Sequence, residues 1–402
     1  MLTRPLSEGD SVTTLELFFD LVFVFALTQV TAKMADNLTA EGMVRGLLII
    51  ALLWWSWTGY AWLGNLVRAD EGITRLGMFA AMTAMFVLAL CIPEAFDDMP
   101  GGLSGPLVMA VCYFVFRALH LVLFYLSAAG DAGLRAQLLR FTPAMLAGTA
   151  LLLFAGVSDG PLQTWLWVAA LAADYLGTYL GGARGWRVAS PAHFAERHGL
   201  IVIVALGESI IAIGIAVAQL AISWPIVLGS VLGLALSGSL WWAYFNVSAE
   251  VGEHALAAAE PERRAGLAQE AYTLLHLPMM AGIVILALGL KKVLQYVGDV
   301  EHHHLTDPLK GVGLIALIGG VVLYLLAQSG FQWRTTGRIH PVQVAVALLL
   351  VPLGLLGTVM PALATLSLLT ATVVAVVTYE SIRHAGERRR ATGHHHGVVG
   401  TE

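Results

Sequence analysis

Residues 199–219 read GLIVIVALGESIIAIGIAVAQ, with Glu208 as the one ionisable side chain. A helix of that length crosses the roughly 30 Å hydrocarbon core of a bilayer. No water reaches the backbone there, so such a run must be α-helical to satisfy its own N–H and C=O groups. Eleven further runs of this kind lie near 15–34, 43–66, 74–92, 105–126, 140–157, 162–182, 224–246, 271–290, 311–328, 342–359 and 362–380. The expected fold class is therefore an all-α polytopic membrane protein with about twelve transmembrane helices. Pro361 makes the last two runs the hardest to separate. Composition agrees: 58% of the 402 residues are hydrophobic and 12% are charged, about half the charged share of a soluble domain. Mean hydropathy is +0.77. These values exclude a soluble globular enzyme, a disordered chain and a nucleic-acid binder. Cys91 and Cys112 sit in apolar runs and read as small core residues rather than a disulfide framework.

Basic residues orient the chain. The tails and the even-numbered loops hold 16 Lys and Arg, and the odd-numbered loops hold 5. That bias places both termini in the cytoplasm. The organisation expected is a tail (1–14), a first six-helix unit (15–182), a cytoplasmic linker (183–198), a second six-helix unit (199–380) and a basic, His-rich tail (381–402). The first 14 residues lack the pattern of a cleaved signal peptide, so the first run is expected to stay as a span. The segment 247–270 reads as cytoplasmic, partly amphipathic or disordered.

The two units look alike. LVFVFAL (21–27) resembles LIVIVAL (200–206), a shift of 179. Trp54-Trp55 returns as Trp241-Trp242, FVLAL (86–90) as VILAL (284–288), and Pro106-Leu107 as Pro308-Leu309. Thr142-Pro143 matches His340-Pro341, and Thr178-Tyr179 matches Thr378-Tyr379. Six spans return a chain to its starting side, so the expected repeats are parallel, related by an axis along the membrane normal. Transporters commonly place substrate sites at such an interface.

TTLELFFDLVFVFALTQVT (13–31) and HFAERHGLIVIVALGESIIAIG (193–214) resemble the bacterial low temperature requirement protein A family, over about residues 10–380. The resemblance implies a multi-pass inner-membrane protein named for a cold-growth phenotype, and no established substrate or reaction. Its motif positions here are Glu16, Phe19, Asp20, His193, Glu196, His198, Gly207, Glu208 and Ser209. The resemblance brings no chemical role for them.

A charge at the bilayer centre costs at least about 2.5–3.5 kcal/mol, so ionisable residues inside the runs are the informative ones. Glu16 and Asp20, four apart, share a face of the first helix. Glu16 also fits a helix-start carboxylate at the positive end of the dipole. Arg117 and His120 lie in the fourth run, Asp174 in the sixth, Glu208 beside Ser209 in the seventh, and His276 early in the ninth. Gly207 and Gly214 flank Glu208 and would let another backbone approach. At 1.5 Å per residue from the expected cytoplasmic ends, these groups lie roughly 7–13 Å deep, in one slab. Three carboxylates, Asp20, Asp174 and Glu208, then face a single Arg117. The transport reading requires them to meet, with spare carboxylates holding a proton or cation. A structural network locking helices together is the alternative.

His193, Glu196, Arg197 and His198 mark the start of the seventh helix and, with Glu16, read as a gate or helix-start anchor. The five-residue His spacing suits paired helical zinc ligands poorly, and Arg197 with Glu196 reads as interfacial. Trp54 and Trp55 either pack the core or line a cavity for an organic or cationic substrate. The histidines at 302–304 and 394–396 read as solvated tracts. No nucleotide-binding, haem or catalytic-triad motif is present, so no cofactor and no metal is expected. The sequence points to a secondary transporter or permease of the bacterial inner membrane. Asp20, Arg117, His120, Asp174, Glu208, Ser209 and His276 would bind a small molecule or cation. Alternatives are a membrane sensor or assembly protein for cold adaptation, or an intramembrane enzyme acting on lipids through the His193–His198 cluster. Expected partners are membrane lipids and the substrate, with no nucleic acid; oligomeric state is open.

Overall fold

A computed structural model of the chain describes residues 4–7, 9–128, 130–182, 185–339 and 341–396, with side chains to 383. Arg184, His340 and the side chains at 388–390 and 394–396 lie outside the described residues. The elements are α1 (Thr14–Asp36), α2 (Ala40–Gly64), α3 (Gly72–Leu90), α4 (Gly105–Ser127), α5 (Ala132–Ala155), α6 (Gly160–Gly181) and α7 (Pro191–Val217). They continue as α8 (Trp224–Ala243), α9 (Ala249–Ala258), α10 (Pro261–Leu267), α11 (His276–Gly298), α12 (Gly311–Thr336), α13 (Pro341–Gly357) and α14 (Ala362–His396). Among the described residues no strand forms. Ten helical segments are long and apolar enough to cross a membrane. α6 and the 17-residue α13 occupy the other two expected positions without joining that set.

Local chemistry sets the helix starts. Thr13 and Glu16 form a reciprocal capping box on α1, which satisfies two otherwise orphaned N–H groups. Thr39, Asp131 and Ser190 cap α2, α5 and α7. Pro191 opens α7, where its missing N–H is not needed.

Two boundaries differ from expectation. α7 begins at Pro191, so residues 191–198 of the expected linker are helix. Residues 247–270 are helical too, apart from a break at Ala259 and Glu260: α8 passes through a π-helical turn, Tyr244–Ser248, into α9. α10 passes through another, Ala268–Leu274, into α11. The Thr142/His340 pairing also misplaces its prolines, since Pro143 lies inside α5 and Pro341 opens α13.

Polarity runs inside out relative to a soluble protein. Trp224, Leu180 and Val359 are among the most exposed side chains, while Arg117, Asp174, Arg197 and Glu208 are 1% exposed. That distribution suits lipid outside and polar partners inside, and the chain is a multi-pass helical membrane protein. α1 packs on α2, α3, α7 and α11; α7 packs on α1, α8, α9 and α11. α11 and α12 approach each other closely. A Cβ on Gly289 would stand 2.4 Å from Leu317 backbone, and one on Gly320 would stand 2.5 Å from the Leu286 nitrogen. Small residues there allow backbone-to-backbone packing.

Candidate functional site

α1 and α7 meet along a polar seam. Glu16 accepts from His193 Nε2 at 3.3 Å. Four residues on, both Asp20 oxygens accept from Arg197, at 3.0 Å each, and Trp57 Nε1 donates to Asp20 Oδ1 at 2.8 Å. The Arg197 guanidinium also stands 3.8 Å from Glu16 and 5.4 Å from the Trp57 ring centre. Further along, Thr28 donates to Glu208 Oε2 at 2.5 Å. Residues 16, 20 and 28 face 193, 197 and 208 in the same order, so the two helices run in the same direction.

The seam corrects the charge count. Arg197 is buried and is the partner of Asp20, so it is neither interfacial nor bound to Glu196. Glu196 is exposed and accepts from the Val12 backbone. Nor do the four ionisable groups meet. Arg197 and Glu208 are eleven residues apart on one helix, which separates them by roughly 16 Å. α7 starts eight residues earlier than expected, and Glu208 lies opposite Thr28, well along the seam from the Asp20–Arg197 pair. Asp174 is elsewhere again, paired with Arg117. Glu208 itself forms no ion pair within 4 Å among the described residues, and Lys291 is the positive charge that acts on it. Gly207 and Gly214 admit no close backbone, because a Cβ at either would meet nothing within 4 Å. Ser209 turns to α8, bonding Ser237 at 2.7 Å.

The second polar site lies across α2. Trp57 faces the seam, whereas Trp55, two residues back, faces α4 and α6. There Arg117 Nη2 donates to Asp174 Oδ1 at 3.4 Å, and Tyr113 donates to Asp174 Oδ2 at 2.6 Å. The Arg117 guanidinium is ringed by Phe141, Trp55 and Tyr113, with centroids 5.0, 5.9 and 5.9 Å away. Such faces stabilise a desolvated cation. Arg117 Nε has no partner. His120 Nε2 donates to the Gly59 carbonyl at 3.0 Å, which leaves Nδ1, also unpartnered, as an acceptor.

Arg117 and His120 line a narrow cleft of about 50 Å³ with Trp55, Trp62, Tyr175 and Trp186. Its remaining wall includes Gln269 and Thr273 from the π-helical turn before α11. Trp54 Nε1 donates to the Thr273 carbonyl at 2.7 Å, and Trp62 Nε1 to its hydroxyl at 3.0 Å. The cleft therefore lies between helices of the first half and a segment of the second. Trp54 is a core residue; Trp55 is a cavity residue. Trp241 and Trp242 are 42% and 50% exposed, at a helix end where an aromatic belt would sit.

The expected gate cluster divides. His193 joins the seam, and Glu196 stays at the surface. His198 packs instead against Trp57, Tyr272 and His276, at ring separations of 5.0, 5.0 and 5.3 Å. His276 Nδ1 donates to the Ala271 carbonyl at 3.1 Å and Nε2 accepts from Tyr244 at 2.9 Å. No group of three or more His, Cys, Asp or Glu that could hold a metal occurs among the described residues.

Sequence reasoning does not single out Tyr113 or Thr28, and it reads Arg197 as interfacial with Glu196. A signal for Arg197 existed: Glu16 and Asp20 are spaced like His193 and Arg197, at an offset of 177, near the repeat shift of 179.

Compared with known proteins, a family model described as bacterial low temperature requirement A protein (LtrA) matches residues 11–378. An uncharacterized protein of Rhizobium meliloti (strain 1021) is 30% identical over 396 residues, covering 92% of this chain and 89% of the relative.

Proposed function

The chain belongs to the bacterial low temperature requirement A protein family, and from that premise we propose that it is a secondary transporter of a small molecule. The observation that carries the proposal is the cleft, which joins a buried cation, an unpartnered imidazole nitrogen and aromatic walls at the junction of the two halves. The earlier ground, four ionisable groups meeting in one slab, is gone.

In this proposal α6 and α13 complete twelve spans, arranged as two parallel six-helix repeats in the inner membrane, with both termini cytoplasmic. The α1–α7 contact supports the duplication. Its polar pairs have offsets of 177, 177 and 180, which bracket the shift of 179 between the matching apolar stretches. Equivalent residues lie against one another where a pseudo-twofold axis along the normal would run. Glu208, which forms no ion pair among the described residues, is the proposed group for a coupled proton or cation.

The test is full-length protein in proteoliposomes enclosing a pH-sensitive dye, with organic acids, amines and alkali cations as trial solutes. Solute-dependent proton movement that Glu208→Gln abolishes, while the variant stays folded, is the expected result. Silence with every class of solute would sink transport, and unchanged coupling in Glu208→Gln would remove Glu208 from it.

A second reading, a sensor or assembly protein, draws on the dry seam: Glu16, Asp20, His193 and Arg197 are 1–2% exposed. It would be favoured if seam variants, and no cleft variant, impaired cold growth. The lipid-enzyme reading loses its ground, because His193 and His198 are buried at 1% and 0%.

A further inference from the structure

Building on the cleft as a transport site, we propose that it takes a flat aromatic carboxylate whose carboxylate group docks on Arg117 in exchange for Asp174. The choice of an anion follows from the lining. Aromatic walls alone would also suit an organic cation, but the residues lining the cleft include Arg117 and no carboxylate. A bound cation would face a guanidinium with nothing acidic on the wall to offset it.

The buried guanidinium groups of Arg197 and Arg117 differ in how fully they are used. Arg197 grips both oxygens of Asp20 at 3.0 Å, the two-bond fork that suits a carboxylate. Arg117 reaches Asp174 through a single, longer contact of 3.4 Å, and Nε is without a partner in both residues. The fork of Arg117 is open to a second carboxylate. Asp174 can release it, because the Tyr113 hydroxyl still donates to the other oxygen at 2.6 Å.

The remaining polar atoms describe the rest of the ligand. His120 Nδ1 is an unpartnered acceptor, and Thr178 Oγ1 is also without a partner. Both belong to residues that line the cleft. A hydroxyl or N–H on the ligand ring would satisfy His120. Trp55, Trp62 and Trp186 supply flat apolar faces for the ring, and aromatic pairs prefer such offset or edge contacts. A hydroxybenzoate has all three features, and its entry requires the Gln269–Thr273 wall to move outward, since the cleft holds only about 50 Å³ as it stands.

The experiment is equilibrium dialysis of radiolabelled 4-hydroxybenzoate against full-length protein in detergent. Tryptophan quenching gives a parallel readout, since three tryptophans line the cleft. Saturable binding is expected, weaker for benzoate, and not displaced by benzyltrimethylammonium. Arg117→Lys, which keeps the charge and loses the fork, should weaken binding about tenfold. Asp174→Asn removes the competitor for the guanidinium and should tighten binding several-fold, a gain that misfolding cannot mimic.

No saturable binding at millimolar ligand would overturn the inference. So would benzyltrimethylammonium binding as tightly as the carboxylate, or Asp174→Asn weakening binding as much as Arg117→Lys does. Binding without uptake into liposomes would leave this site standing and remove the transport reading. Uptake of another solute with no carboxylate binding would do the reverse.

Discussion

Replacing Arg197 with glutamine tests the charge accounting of the α1–α7 seam. The guanidinium holds Asp20 through two 3.0 Å bonds and stands 3.8 Å from Glu16, and all three residues are 1–2% exposed. Without it, two buried carboxylates face each other. Their remaining donors are Trp57 on Asp20, and Thr13 with His193 on Glu16. Removing one partner of a buried ion pair costs about 3–5 kcal/mol, and the second carboxylate places this case at the upper end. Asp20→Asn is a milder change. It removes one negative charge from a set with two carboxylates and one guanidinium, and Arg197 keeps Glu16. The loss is then mainly that of charge-assisted hydrogen bonds, about 1.5–3 kcal/mol. Arg197→Gln should therefore exceed Asp20→Asn by at least about 1.4 kcal/mol, a tenfold difference in the folded-to-unfolded ratio. The double variant should be more stable than Arg197→Gln alone. The assay is denaturant unfolding of full-length protein in micelles, followed by far-UV circular dichroism. Equal losses in the two single variants, or strict additivity in the double, would refute the reasoning.

Other positions give sharper contrasts. Asn65 is fully buried, donates to the Ser190 carbonyl at 2.6 Å and accepts from the Ala189 nitrogen at 2.7 Å; Asn65→Ala should cost about 1–3 kcal/mol in the same unfolding assay. Gly289→Ala and Gly320→Ala push a Cβ into backbone and should lower folded yield on size-exclusion chromatography. Gly207→Ala and Gly214→Ala, with nothing within 4 Å, should leave that yield unchanged. Trp54→Phe with Trp62→Phe removes both side-chain bonds to Thr273. That pair should raise amide exchange over 268–274 and spare α7, as measured by hydrogen–deuterium exchange mass spectrometry.

The helical spans were legible because lipid imposes a length and a composition that sequence displays directly. Helix ends were less so. Pro191 and the Ser190 cap announce a start, yet the polar stretch His193 to His198 reads as loop when judged by hydropathy alone. That reading counted the distance to Glu208 from residue 199 rather than from Pro191. It so set Glu208 closer to the level of Asp20 than the roughly 16 Å that separates it from Arg197, which in turn suggested a four-residue site. Residue identity could not divide the polar groups between the two faces of α2. Only the helix rotation, which turns Trp55 and Trp57 nearly opposite ways, separates the Arg117 site from the Arg197 seam. The π-helical turns were invisible for a related reason. Their i→i+5 bonds, such as Leu275 to Glu270, need no special residue.

If the halves move against each other, the polar seam is a poor place for the movement. Parting α1 from α7 would leave Arg197 unpaired on one helix and two buried carboxylates unpaired on the other, at the several-kcal/mol cost worked out above. The cleft wall is held more lightly, by two neutral tryptophan N–H bonds to Thr273, each worth about 1 kcal/mol net. Thr273 also sits in a π-helical turn, a backbone form common at functional sites and easily converted by a register shift of one residue. A matching turn, Tyr244–Ser248, stands at the other end of the α9–α10 hairpin. Opening at these turns would expose Gln269 and Thr273, and with them Arg117, while leaving the charge pairs of α1 and α7 intact as a pivot. The exchange measurement on the tryptophan pair separates the two cases, because a hinge at 268–274 loosens there first and a seam that opens loosens α7.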